Sequence, residues 1–160
     1  MIVVAVSSPL HYLILLEQTA LLPNLYGHVL APETIAAELR AARAPEPVRA
    51  WMSRPPSLIE IIDMTTEEIA SVPEELDPGE RAAIALAEKV RADLIVIDET
   101  DGRAEAIRRN FRVTGTLGIL RAAALEGLVD VRSALNRLAA TNFYTDERLL
   151  VQLFGEWLTE

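Results

Sequence analysis

The stretch Asp93-Leu94-Ile95-Val96-Ile97-Asp98 places four apolar residues between two acids. A continuous apolar run of this length is typical of a strand that is buried on both faces of a parallel sheet. A β-branched run from Ile2 to Val6 has the same character, and shorter candidate strands lie at 28–30, 58–62 and 111–113. Helical segments separate these strands. The alternation predicts one α/β domain over residues 1–160, with a mostly parallel central sheet between two helical layers.

The composition limits the chemistry that the chain can perform. It has 160 residues, no cysteine and only two histidines, which excludes disulfides, thiolate sites and multi-histidine metal sites. A metal would therefore be held by carboxylates, which suit Mg²⁺ or Mn²⁺. No apolar run is long enough for a membrane helix, and the first residues lack the pattern of a secretory signal. We expect a soluble, cytoplasmic protein.

The formal net charge of -9 argues against broad electrostatic binding to nucleic acid. Local arginines could still contact phosphate groups, and a basic partner protein is the other interpretation of the charge. The candidate arginines are Arg103, Arg108, Arg109 and Arg112.

Several helix starts can be predicted from local patterns. Ser8 before Pro9 predicts a cap for the first helix, and Asp77 with Glu80 has the spacing of a capping box. Residues 65–73 are predicted to be a polar connection. A last helix over 146–157 carries a broad apolar face, which either packs on its own domain or binds a partner.

Ligands of open parallel sheets bind beyond the carboxyl ends of the strands. Asp98 ends the clearest strand, and Glu99 and Asp101 follow it, which favours a functional acid over a helix cap. For Glu80, spacing alone favours the capping box. Glu38, taken alone, has the pattern of a solvated helix residue.

The segment Thr114-Gly115-Thr116 has two interpretations. Its backbone N–H groups could bind a phosphate at a helix start, or Thr116 could simply cap the next helix, which the pattern favours. His11 and His28 have no acidic or serine partner nearby in sequence, so both are predicted to be structural.

Six segments in order resemble the PIN-domain superfamily, and within it the short bacterial and archaeal PIN proteins that are either uncharacterised or toxins of toxin–antitoxin pairs. The likeness covers nearly the whole chain, and two of the segments are specific when found together. The segments are VVAVSSPLHYL, APETIAAELR, LDPGERAAIALA, ADLIVIDETDGRAEA, FRVTGTLGILRAAALEGL and NFYTDERLL.

The resemblance implies a crevice of acids that binds Mg²⁺ or Mn²⁺ and hydrolyses RNA. The residues that match family acids are Glu38, Glu80 and Asp98, with Glu99 or Asp101 as a fourth, while Ser8 and Thr116 match hydroxyl residues lining the crevice. Val6 stands where the family usually has its first metal-binding aspartate, and His11 stands where an asparagine is often found.

These patterns support two hypotheses from different classes. The first is a metal-dependent endoribonuclease of a toxin–antitoxin system, either active or inactivated by Val6, that acts on RNA and pairs with an antitoxin. The alternative is a catalytically inactive PIN-fold module for protein binding or homodimerisation. The catalytic and metal residues in the first hypothesis are Glu38, Glu80 and Asp98, with Glu99 and Asp101 as further metal ligands and Ser8, Thr114, Thr116 and Arg103 as substrate contacts.

Overall fold

The computed structural model describes residues 1–159, which form five strands and ten helices. The strands are β1 (Ile2–Ala5), β2 (His28–Pro32), β3 (Ile59–Ile62), β4 (Leu94–Val96) and β5 (Val113–Thr114). The helices are α1 (Ser7–Leu15), α2 (Leu21–Tyr26), α3 (Glu33–Arg40), α4 (Glu46–Ser53), α5 (Thr66–Ile69), α6 (Pro78–Val90), α7 (Thr100–Arg108), α8 (Thr116–Leu125), α9 (Val131–Ala139) and α10 (Glu147–Leu158).

All five strands pair in parallel, in the order β3-β2-β1-β4-β5. Helix α6 lies against β1 and β2, and it is contacted by α3, α5 and α7. Helix α8 is the centre of a second group and is contacted by α1, α2, α9 and α10. This is the three-layer α/β arrangement predicted from the alternation of strands and helices. None of the helices within residues 1–159 is both long and apolar enough to cross a membrane.

The strand order places a topological switch at the middle of the sheet. From β1 the chain proceeds outward through β2 and β3, then returns to pair β4 on the other side of β1. The carboxyl ends of β1 and β4 therefore open a crevice between connections that leave in opposite directions. The side chains that follow these two strands are the ones that the fold brings to this crevice.

The predicted cap at Ser8 and the predicted capping box of Asp77 and Glu80 are wrong, although Asp77 is the N-cap residue of α6 as predicted. α1 begins at Ser7 without a side-chain cap, and the Ser8 hydroxyl donates to Asp98 instead. Asp77 does precede α6, but its side chain accepts no capping hydrogen bond. The physical reason is that Glu80 lies one helical turn before the fully buried Ile84, so its side chain faces the core rather than the helix start.

A capping box occurs where the sequence interpretation placed only a polar connection. Thr65 accepts a hydrogen bond from the backbone N–H of Glu68, and the Glu68 side chain accepts one from the backbone N–H of Thr65. These bonds close the single turn of α5. Other element ends differ from the predicted ones by one to three residues, which is near the ordinary uncertainty of helix and strand boundaries.

The apolar face of α10 packs on its own domain. Phe154 is fully buried, and Leu150, Leu153 and Trp157 pack against the core. Asp146 caps the helix by accepting a hydrogen bond from the Leu149 backbone N–H at 2.7 Å. The helix therefore completes the domain, and its apolar face is no longer an argument for a partner.

Candidate active site

The first turn of α1 connects two acids that are far apart along the chain. Ser7 Oγ donates to Glu38 Oε2, and Ser8 Oγ donates to Asp98 Oδ2 at 2.8 Å. The two serines follow directly after β1, so their positions are fixed by the buried centre of the sheet. Neighbouring residues of one helix turn thus hold Glu38 on one side of the crevice and Asp98 on the other.

Asp98 is held by three donors. Its Oδ1 accepts the backbone N–H of Thr116 at 2.7 Å, and its Oδ2 accepts the Thr116 hydroxyl at 2.7 Å in addition to Ser8. Thr116 is fully buried and is the first residue of α8, whose N-cap is Gly115. The prediction that Thr116 caps α8 through its own side chain is therefore wrong, because that side chain donates to Asp98.

A cavity of about 510 Å³ opens at the carboxyl ends of β1 and β4. Its walls carry six carboxylates and neither arginine nor lysine, so its electrostatic potential favours a cation. The lining residues are Val6, Ser7, Ser8, Ile35, Glu38, Glu75, Leu76, Asp77, Glu80, Glu99, Thr100 and Asp101.

Glu80 is the most deeply placed acid of this cavity. It is 6% exposed and accepts no hydrogen bond from any residue of the described chain. Burial raises the pKa of Glu80 to about 7, and the negative charges of Asp77, Glu99, Asp101 and Glu38 add to the rise. A buried carboxylate without a donor is costly in an apo protein, unless a cation or a proton occupies its oxygens.

Glu38 has a milder environment. Burial raises its pKa, the hydrogen bond from Ser7 lowers it, the charge of Asp77 raises it, and the charge of Arg43 lowers it. The isolated sequence pattern predicted a solvated residue, whereas the structure places Glu38 half-buried beside Glu80.

Glycines pack against the three acids. A side chain at Gly79 would overlap Glu38 Oε1, and one at Gly115 would overlap Asp98 Oδ1. At Gly102, an added Cβ would lie 3.0 Å from the carboxyl carbon of Glu80. The sequence interpretation assigned no such role to these glycines, although each is within four residues of a candidate site residue.

The remaining predicted site residues have different locations. Glu99 and Asp101 line the cavity at the start of α7. Asp98 does not line it, and neither do Thr114 and Arg103. Arg103 Nη1 instead donates to the carbonyl of Ile97 at 2.8 Å, beside Asp98.

Two of the arginines predicted to contact phosphate are engaged elsewhere. Arg108 and Arg109 both bind Glu105, and Arg109 also donates to the carbonyl of Ser71.

Sequence reasoning also missed Glu75 and Asp77 as cavity residues. The helical periodicity of α6 could have indicated that Glu80 is buried, because Glu80 lies one turn before Ile84 on the face of the helix that packs against the core.

A model of the PIN-domain family matches residues 2–157. The chain belongs to the PIN-domain family. No curated protein and no solved structure matches it. The family membership that the ordered segments indicated is thus confirmed over nearly the whole chain.

PIN domains generally use divalent metals, and we tested whether this PIN domain suits one. Within residues 1–159 no group of three or more histidines and acids is arranged to hold an ion. Mg²⁺, however, usually keeps several waters and is bound by one or two carboxylates together with substrate phosphates. Glu38 and Glu80 converge on one cavity with hard oxygen donors, so the PIN domain fits that mode of binding.

Proposed function

We propose that this PIN domain is a metal-dependent endoribonuclease of a toxin–antitoxin system, whose metal affinity is weakened by Val6. The observation that carries the proposal is Glu80, a carboxylate that is 6% exposed, lacks a hydrogen-bond donor and faces a cavity lined by five other acids. An ionised carboxylate packed in this way is unfavourable unless a cation or a proton neutralises it, and the five neighbouring acids favour a cation.

In the proposed reaction, Glu38 and Glu80 hold the ion, and Ser7 fixes the orientation of Glu38 through its hydrogen bond. A divalent ion there would offset the phosphate charge and lower the pKa of a water molecule. The pKa of about 7 belongs to metal-free Glu80, and a bound cation would lower it and keep the carboxylate ionised. Asp98 keeps the start of α8 against the crevice through Thr116.

Glu99 and Asp101 are the proposed further ligands at the rim. Both line the cavity from the exposed start of α7, where they can reach an ion through water. Ser8, Thr114 and Arg103 remain proposed substrate contacts, whereas Thr116, which the sequence placed with them, is fully buried and donates to Asp98.

Val6 lines the same cavity and is 3% exposed. Its backbone N–H donates to the carbonyl of Val96 at 3.0 Å, which fixes it between β1 and β4. A carboxylate at this position would lie among the acids of the cavity, whereas valine offers no ligand. We expect the chain with Val6 to bind Mg²⁺ or Mn²⁺ weakly and to cleave RNA slowly or not at all.

The test is to measure Mn²⁺ binding by calorimetry and the cleavage of single-stranded RNA for the natural chain and for Val6→Asp. We expect Val6→Asp to bind Mn²⁺ more tightly and to cleave RNA, and we expect the double variant Val6→Asp with Glu80→Gln to lose both properties. If Val6→Asp neither binds the ion nor cleaves RNA, the proposed function is wrong.

A second candidate function is favoured by Val6 itself and by the lack of a three-acid group in residues 1–159. In this alternative the protein is an inactive PIN-fold module that binds an antitoxin or a second copy. The net charge of -9 suits a basic partner. Light scattering would show a dimer if the partner is a second copy, and with either partner Val6→Asp would remain without nuclease activity.

A further inference from the structure

A second cavity adjoins the acidic one. It measures about 680 Å³, within the range of small-molecule sites, and it shares Ser7, Glu38 and Asp77 with the first cavity. The two cavities therefore lie side by side, and Glu38 lines both of them. The lining residues of the second are Ser7, His11, Thr34, Ala37, Glu38, Leu39, Arg43, Ala44, Pro45, Asp77 and Pro78.

Arg43 gives this second cavity a cation that the first one lacks. Arg43 makes no hydrogen bond or ion pair with any described residue, whereas the nearby Arg40 and Arg49 bind Glu33 and Glu46. Its charge lowers the pKa of Glu38, so it lies close enough to act at the edge of the acidic cavity. A guanidinium without a protein partner is well suited to a phosphate group.

His11 supplies a planar ring to the same cavity. It lies one helical turn after Ser7, on the same face of α1, and it packs edge-on against Tyr12 with ring centroids 4.7 Å apart. Burial lowers the pKa of His11, which keeps the ring neutral at neutral pH. A neutral ring held by an aromatic neighbour can stack on a nucleobase.

We propose that this second cavity binds the nucleotide next to the cleaved phosphate of a single-stranded RNA, with Arg43 on the backbone phosphate and His11 stacked on the base. The inference rests on the proposed function and adds the direction in which the substrate leaves the acidic cavity. Apolar residues such as Ala44 and Pro45 form a part of the wall that suits the face of a base. Because stacking does not distinguish one base from another, we expect little sequence preference at this nucleotide.

The experiment measures the binding of a fluorescent single-stranded RNA octamer to the full chain by anisotropy, in Mg²⁺ and at several salt concentrations. For Arg43→Ala we expect about a tenfold loss of affinity and a salt slope that falls by about 0.7, the value for one phosphate contact on a single strand. Arg148→Ala is the matched control, because Arg148 is exposed on α10 and lines neither cavity.

His11→Phe should retain the affinity, while His11→Ala should weaken it. Cleavage by the same variants in the Val6→Asp background should show a raised KM with little change in kcat, as expected for lost substrate binding.

The outcomes separate the two proposals. If RNA is bound or cleaved but Arg43→Ala behaves like Arg148→Ala, the second cavity is not a nucleotide site and the ribonuclease proposal stands. If neither the natural chain nor Val6→Asp binds or cleaves RNA, the proposed function fails and the nucleotide site fails with it. Circular dichroism of each variant checks the fold, which the exposed Arg43 should not affect.

Discussion

Replacing Glu80 by glutamine should stabilise the metal-free protein above neutral pH. The pKa of Glu80 is about 7 in the folded protein against an ordinary value of 4.5, and burial is the main cause. At 1.36 kcal/mol for each pH unit, the ionised carboxylate lowers the free energy of unfolding by at most about 3 kcal/mol. Glutamine keeps the shape and removes the charge.

The sign of the effect depends on pH. Because the folded state binds the proton more tightly than the unfolded chain, stability should fall as pH rises from about 4.5 through 7. The free energy of unfolding of Glu80→Gln should lack this dependence on pH. Near pH 4 it should equal that of the unsubstituted chain, because Glu80 is protonated there. At pH 8 the variant should melt higher by about 6 to 12 °C, the shift expected for about 3 kcal/mol in a domain of this size.

The assay is thermal and urea unfolding between pH 4 and pH 9 in the presence of a chelator. Glu126→Gln is the control, since it removes the same charge from an exposed residue after α8. Added Mn²⁺ should reduce the difference between the two proteins, because the ion stabilises the form that binds it. If both variants unfold alike at pH 8, Glu80 is not an uncompensated buried charge and the argument for the metal site fails.

Three further substitutions test the packing around the acids and the core. Thr116→Val removes a hydroxyl that donates to Asp98 and should lower the free energy of unfolding by about 1–2 kcal/mol, measured by urea unfolding. Gly79→Ala forces a methyl group against Glu38 and should cost about 1–3 kcal/mol in the same assay, with altered Mn²⁺ affinity. Phe154→Ala empties a fully buried position and should cost about 3–5 kcal/mol; a cost below 1 kcal/mol would show that α10 is not part of the core.

The layers and the strand order along the chain could be predicted because they depend on local patterns. The apolar runs around Val4 and Ile95 are buried on both faces, and buried parallel strands need covering helices. Ser8 and Glu80 could not be assigned locally, because the same residues suit a helix start and a crevice. Their side-chain directions are decided by contacts with Asp98 and the core, which are distant in sequence.

The opposite error at residues 65–73 has a related cause. The segment Thr65 to Glu68 has the capping-box spacing, but it precedes no long apolar periodicity, so it was interpreted as a connection.

The family resemblance supplied Glu38 and Glu80, which spacing alone would have assigned to the surface and to a cap. The structure places both in one cavity, and whether they bind a metal stays a prediction.

The bonds around Asp98 also bear on how the protein is made. Asp98 is held by Ser8, near the start of the chain, and by Thr116, well beyond its middle. During synthesis, when folding proceeds from the N-terminus, these contacts cannot all exist until α8 has left the ribosome and docked. A nascent chain that stops short of α8 therefore lacks the two bonds from Thr116 that hold Asp98.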